Sequence, residues 1–315
     1  MASTQQLAKE YFEKGEQQIY NNDVQPALDN LNLALSIYEE LDDKRNYILC
    51  LRLIAIAYSI MGYNSRMLSK CLMGIQYCDT NHIKGAKQFF YTTICNRYML
   101  LGDFDGAINY GLMAKQDLET HGKEFDVGPH AYMVVNLNLA YCYIHTMKYA
   151  EADVHIQRAE AIAKKNDMTE HNFSINVIKA RLHYCQGDTQ YVYDHLGDLM
   201  VFVKAATLTL HDYVQDLQML IETFCLMKDY EKAEEVAYTL EFSAESSGNH
   251  LLRLEATKLY MYIYKKMANL EKYQSACVAY AECHMDYLDS QAQARLREMD
   301  TQIALSIADT PTDLL

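Results

Sequence analysis

The sequence predicts an all-α protein built as a stack of about seven helix hairpins, and three observations carry that prediction. Turn-like positions recur along the chain at Asn22, Gly62, Gly102, Met147, Gly187, Lys228 and Ala268, with spacings of 40, 40, 45, 40, 41 and 40 residues. Only 12 Gly and 3 Pro occur in 315 residues, and 50% of the residues are apolar, which leaves little room for irregular chain and ample material for a core. The segment 136–165, NLNLAYCYIHTMKYAEADVHIQRAEAIAKK, reads as two helices and a tight turn. Leu139, Ala140 and Tyr143 share one helical face, and Ala152, Ile156 and Ala159 share a face of the next helix. A single hairpin cannot bury such faces, so it needs copies of itself on either side.

In chain order, the first helix starts at Ser3 or Thr4, where Ser3 and Gln6 fit a capping box. Its partner begins near Asp23, with Pro26 tolerated in the first turn. The stretch THGKEFDVGPH, residues 120–130, accounts for the one 45-residue spacing. Its Gly128-Pro129 pair breaks the helix, and this loop is the expected place for a hinge. From Glu271 to Ala308 there is neither Gly nor Pro, so a single long helix is expected to leave the stack. Met285, Leu288, Ala292, Leu296, Met299, Ile303 and Ile307 form an apolar stripe along it with an eleven-residue period. We expect Leu288, Leu296, Met299, Ile303 and Ile307 to pair with the same helix of a second copy. The domain reading is a stack over residues 1–285, then a linker and signalling helix over 286–315.

The repeated unit resembles the tetratricopeptide repeat family. The third copy carries Tyr91, Tyr98, the turn LGDF, Ala107 and Ala114. The first carries Tyr11, Gly15, Ala27, Leu31 and Ala34, and the second Ala55, Tyr58, Gly62 and Gly74. The later copies are marked by Ala180, Gly187 and Leu196, then by Phe224, Tyr230, Ala233 and Ala237, then by Tyr264, Leu270 and Cys277. The resemblance covers roughly residues 5–285 and implies a right-handed superhelical solenoid. The period exceeds the family's usual value of about 34 residues, so the helices or the loops must be longer than usual.

The final residues, DTPTDLL, resemble the start of a GGDEF domain at Asp309, Thr312, Leu314 and Leu315, and depart from it at Pro311 and Asp313. That resemblance implies a bacterial sensor region controlling a C-terminal diguanylate cyclase whose catalytic domain is absent. The alternative is a stand-alone regulator similar to the repeat-containing peptide-pheromone receptors of Gram-positive bacteria, or a protein-interaction scaffold. Those receptors carry an N-terminal helix-turn-helix or three-helix bundle, whereas repeats here begin by residue 11.

Charge and composition narrow the function further. A net charge of −14 disfavours nucleic acid and anionic membranes as partners. The N-terminus shows no signal peptide and no apolar run approaches a membrane span. Nine Cys with no C-x-x-C spacing point to reduced thiols and a cytoplasmic location. No phosphate-binding loop, nucleophile elbow or H-E-x-x-H motif is present, so no enzymatic activity and no cofactor are expected. His145 and His155 flank the fourth turn as partly exposed helix histidines, and Cys283-His284 lacks the further ligands of a zinc site. In the family, one face of the first helix of each pair lines a concave groove. On that face the resemblance places Arg52, Asn96, Tyr141, Arg181, Tyr184, Gln218, Glu222, Lys258 and Tyr262. Arg, Asn, Gln and Tyr are the side chains that recognise a peptide backbone, so the expected partner is a peptide or protein.

Overall fold

The computed structural model describes residues 4–21, 23–205 and 213–308; the side chains at 294, 295, 297, 298 and 300–308 lie outside that description. Ser3, Asn22 and the GGDEF-like residues 309–315 therefore lie outside the described residues. Among the described residues fourteen α-helices follow one another: α1 Thr4–Tyr20, α2 Val24–Glu40, α3 Lys44–Ile60, α4 Asn64–Thr80, α5 Lys87–Leu100, α6 Phe104–His121, α7 Pro129–His145, α8 Tyr149–Lys165, α9 Asn172–Cys185, α10 Thr189–Ala205, α11 Val214–Met227, α12 Tyr230–Ser247, α13 His250–Lys266 and α14 Leu270–Ala308. A short 3-10 turn, Thr169–His171, precedes α9. No strand occurs among the described residues.

The repeat is built from a smaller module than the hairpin. Left-handed residues occur at Asp42, Gly62, His82, Gly102, Asp126, Met147, Asp167, Gly187, Lys228, Gly248 and Ala268. Most of these are 20 or 21 residues apart. A helix of 17 residues, as in α1 to α4, α7, α8, α10 and α13, plus a three-residue turn makes that module. At about 1.5 Å per residue, 17 residues span roughly 25 Å. Longer helices, rather than longer loops, thus account for the 40-residue period.

Most turns among the described residues are closed the same way. The backbone N–H after the left-handed residue returns to the last turn of the helix before it: Tyr63 to Tyr58 at 2.8 Å, Asp103 to Tyr98 at 3.0 Å, Lys148 to Tyr143 at 2.8 Å, Asp229 to Phe224 at 2.9 Å. This is the six-to-one bond of a Schellman motif. Several closing Asp and Asn side chains also cap the following helix: Asp43 accepts from Asn46 N–H, Asp103 from Gly106, Asp229 from Lys232 and Asn249 from Leu252, whereas Asp23 makes no such bond.

The core follows the small-residue positions. Ala27, Ala34, Ala107, Ala114, Ala140, Ala152, Ala159 and Ala233 are fully enclosed. Glycine serves where a large side chain of the next helix presses in. A Cβ on Gly74 would stand 2.0 Å from the ring of the fully buried Phe90, and one on Gly111 would stand 2.8 Å from Leu139. Most cysteines fill the core as small apolar groups, though Cys185 and Cys277 are half-buried. Among the described residues no helix is long and apolar enough to cross a membrane.

The chain divides into two compact units, residues 1–205 with 215–223, and residues 206–214 with 224–315. The division does not fall at residues 120–130. That loop is folded down inside the first unit. Phe125 is buried, its carbonyl accepts from Arg45 Nη1 at 2.6 Å, and the Arg45 guanidinium lies 4.7 Å over its ring. Phe89 meets Phe125 edge-on at 5.9 Å, and Arg52 stacks 4.8 Å over Phe89. In the second unit α13 packs on α14, with Arg253 paired to Asp286 at 3.5 Å and Cys283 buried. Past Asp286, α14 continues unbroken, and Leu288, Leu296 and Met299 are exposed along it. The side chains of Ile303 and Ile307 lie outside the described residues.

Several turns use residues that carry a Cβ where the backbone favours glycine. Met147 has φ 59° and its side chain is 74% exposed, so it makes no compensating packing. A left-handed residue with a Cβ costs about 1–2 kcal/mol, against about 0.5–1 kcal/mol of extra chain entropy for glycine. Met147→Gly is therefore expected to stabilise the protein by up to about 1 kcal/mol in urea unfolding. A midpoint below that of the parent chain would count against this account of the turn.

Candidate functional site

The odd-numbered helices of the first unit form one layer. Besides meeting its hairpin partner, α3 packs on α1 and α5, and α7 packs on α5 and α9. Because the turns recur in fixed register, residues at the same distance before each turn residue line up across this layer. Six positions before the turn residue stand Ile56, Asn96, Tyr141, Arg181 and Glu222. Sequence reasoning picked out the last four of these and placed them on one face, and the structure joins three of them in one cluster.

Asn96 and Asn138 connect α5 and α7, with Asn138 Nδ2 donating to Asn96 Oδ1 at 2.5 Å. One step along, α7, α9 and α11 supply a tighter cluster. Arg181 Nη2 and His145 Nε2 each lie 3.9 Å from Glu222 Oε2. Gln218 Nε2, one helical turn before Glu222, donates to its Oε1 at 3.0 Å. Ser174 Oγ donates to Asp216 Oδ2 at 2.6 Å. The side chains of His145, Arg181 and Glu222 are only 12%, 13% and 13% exposed. Beneath them Phe104 stacks parallel to His145 at 4.2 Å, and Tyr141 packs against both rings.

Three expectations change here. Tyr141 does not line an open surface: it is 3% exposed, because Phe104 and His145 close over it. His145 and His155 are not exposed helix histidines. His145 belongs to this cluster, and His155 is buried between α7 and α8 with Nδ1 2.7 Å from Asn136 Oδ1. They face different neighbours, and no metal-holding group of three His, Cys, Asp or Glu occurs among the described residues.

Arg52 stacks over Phe89, and Tyr184 is half-buried on α9. Lys258 and Tyr262 belong to the second unit. There Lys258 Nζ pairs with Glu255 at 2.7 Å and Lys266 Nζ stands 5.4 Å over the Tyr262 ring. His145, Asp216, Ser174 and Phe104 were not singled out from the sequence as parts of this site. His145 could have been found, since it lies one helical turn past Tyr141 on the same face. Ser174 and Asp216 carry no such signal, because they meet only across two helices.

Burial sets the charge state of the cluster. It lowers the His145 imidazole to about 4, and the nearby Arg181 charge pushes the same way. It raises the Asp216 carboxyl to about 6, against the pull of the Ser174 hydrogen bond. Tyr141 is raised well above its ordinary range, first by burial and then by Glu222 and Asp216. Arg52 is lowered by burial, with Tyr20 and Glu16 opposing.

No protein-family model matches the sequence, and no curated protein matches it either. Solved structures do resemble it. A Rap protein complexed with Competence and Sporulation Factor superposes with a TM-score of 0.62 at 15% identity, over 93% of this chain and 77% of that one. The apo form of RapI superposes with a TM-score of 0.54 at 16% identity, over 85% of this chain and 86% of that one. The likeness is one of fold: this chain has the all-α, tetratricopeptide-like repeat architecture.

The two buried titrating groups pull stability in opposite directions. The unfolded chain binds a proton on His145 near pH 6.5 and the folded chain only near 4, so stability is lost as pH falls from about 6.5 to about 4. The folded chain keeps the Asp216 proton to about pH 6 and the unfolded chain only to 3.8, so that contribution is full below 3.8 and is lost as pH rises through about 6. Relative to the parent chain, His145→Gln is expected to turn the urea midpoint downward with rising pH across this window. Asp216→Asn is expected to turn it upward. Parallel profiles for all three chains would mean that both groups are solvated.

Proposed function

We propose that this chain is a non-catalytic regulatory module whose first unit binds an extended peptide across the face of its odd-numbered helices. The observation that carries this reading is the set of polar side chains on α3, α5, α9 and α11: Arg52, Asn96 and Arg181, with Gln218 and Glu222 one helical turn apart. Side-chain amides and a guanidinium serve the backbone groups of an extended chain. Packed helices lie about 8–10 Å apart, and an extended chain rises about 3.3 Å per residue. A peptide therefore advances roughly three residues per helix, and about six residues reach from Asn96 to Arg181.

The Rap neighbours support a stand-alone regulator of this kind over a cyclase-linked sensor, since one of them was solved with Competence and Sporulation Factor bound. The cyclase-linked reading rests on residues 309–315 and on the long helix that precedes them. Reduced thiols in the core suit a cytoplasmic setting.

Selection of hexapeptides from a displayed library on the immobilised 315-residue chain tests the reading. Asn96→Ala and Tyr184→Ala are each expected to lower retention of the selected peptides at least tenfold, about 1.4 kcal/mol, with unchanged circular dichroism. Parent-like retention in both variants would remove this face as the site.

A second reading concerns assembly. The exposed Leu288, Leu296 and Met299 on α14 favour pairing with a second copy. Sedimentation should give a dimer for the full chain and a monomer for a chain ending at Asp286. The same mass state for both would reject α14 as the pairing element.

A further inference from the structure

A buried guanidinium normally places its N–H groups on acceptors. Arg181 does not. Its Nε and Nη1 are shielded from solvent and meet no protein acceptor. Nη2 stands 3.9 Å from Glu222 Oε2, too long for a hydrogen bond. His145 Nε2 is in the same condition, enclosed, unbonded and 3.9 Å from the same oxygen. Glu222 turns its other oxygen to Gln218. Phe104 and Tyr141 wall the site on the side of α7, and the Arg181 charge is close enough to act on His145, Tyr141 and Tyr149. Leaving a guanidinium and a ring nitrogen enclosed without acceptors is among the costlier arrangements a fold can hold. It persists here in the register position that faces the proposed ligand.

Resting on the peptide-binding reading of this face, we propose that the ligand is anchored by a carboxylate group received by Arg181 and His145. The carboxylate comes from an acidic side chain or from the peptide's C-terminus. A carboxylate matches the guanidinium fork in plane and spacing. The neutral His145 can add an Nε2–H donor, since burial keeps its ring from taking a second proton. A dianion such as a phosphate fits less well, because Glu222 and Asp216 already stand in the cluster and would repel the second charge. A backbone carbonyl would accept a donor but leave the guanidinium charge unmatched. The long Arg181–Glu222 approach is weak enough to yield when a second acceptor arrives.

Two measurements on the full 315-residue chain test this. In the first, N-acetylglycine is titrated into 15N-labelled protein, with N-acetylglycinamide as the uncharged control, and the Arg181 Nε–H resonance is followed. The acid is expected to move that resonance and the amide to leave it in place. In the second, pooled hexapeptides are retained on immobilised chain in four forms, with a free or amidated C-terminus and with or without one Asp. Carboxylate-bearing forms are expected to be retained at least tenfold better than amidated, Asp-free forms. The free-terminus and Asp arms separate the two sources. Arg181→Gln should abolish the preference and Arg181→Lys should restore part of it. Both variants are checked by circular dichroism, and removing an unmatched buried charge should leave the fold intact. Equal retention of all four forms, with an unmoved resonance, would overturn the carboxylate anchor and leave peptide binding standing. A moved resonance without retention of any peptide would keep the carboxylate site and overturn the peptide reading. Failure of both measurements would overturn both.

Discussion

In most turns of this molecule, one residue closes a helix and opens the next. Tyr63, Asp103, Lys148 and Asp229 each send a backbone N–H back to the preceding helix while standing at the N-cap of the following one. A loop that does both tasks with three residues has no slack. It fixes the angle between consecutive helices, and it fixes the residue count at which the next helix begins. The alignment of Asn96, Tyr141, Arg181 and Glu222 across the layer is a consequence of that count. Were one turn to gain or lose a residue, the face presented by the next helix would rotate by about 100°, and the alignment would be broken there.

Much of this was legible in the sequence, because turns leave chemical traces. Gly62, Gly102 and Gly187 mark left-handed positions, and Asp103 and Asp229 mark caps. The even 40-residue spacing then exposed the hairpins. The 20-residue module was harder to see, since Asp42, His82 and Asp167 carry the left-handed turn with residues that also occur anywhere else. The face of the layer was expected from the family resemblance, which places Arg52, Asn96, Arg181 and Glu222 on it. Periodicity says nothing about how deep a side chain sits. Tyr141 occupies a face position yet is enclosed, because Phe104, from the start of α6, and His145 cover its ring. Likewise Ser174 and Asp216 meet through tertiary approach, which no local pattern announces.

The polar cluster between α7, α9 and α11 sits at odds with the apolar economy around it. Interiors tolerate ionisable groups when each is matched, and here the matching is partial. Gln218 satisfies one oxygen of Glu222, and Ser174 serves Asp216. His145 is held neutral and Asp216 holds its proton more tightly than usual. Burial thus leaves His145 uncharged at neutral pH and makes Asp216 hold its proton up to about pH 6, in one cluster with the Arg181 guanidinium. On the proposed reading, a ligand group that completes this pairing gains the free energy that incomplete matching withholds.

The folded-down loop at residues 122–128 has a consequence for how the array comes apart. In repeat proteins each unit holds mainly its neighbours, so unfolding can creep in from an end, one unit at a time. The bond from Arg45 to the carbonyl of Phe125 reaches 80 residues along the chain. With Phe89 and Arg52 it links the start of α3, the start of α5 and the entry to α7 in one stacked row. Fraying from the N-terminus cannot pass this row one hairpin at a time, because α3 cannot leave without uncovering the loop that leads into α7. The inserted residues act as a rivet through three helices of one layer, and they convert that part of a sequentially melting array into a block that holds or fails as a whole.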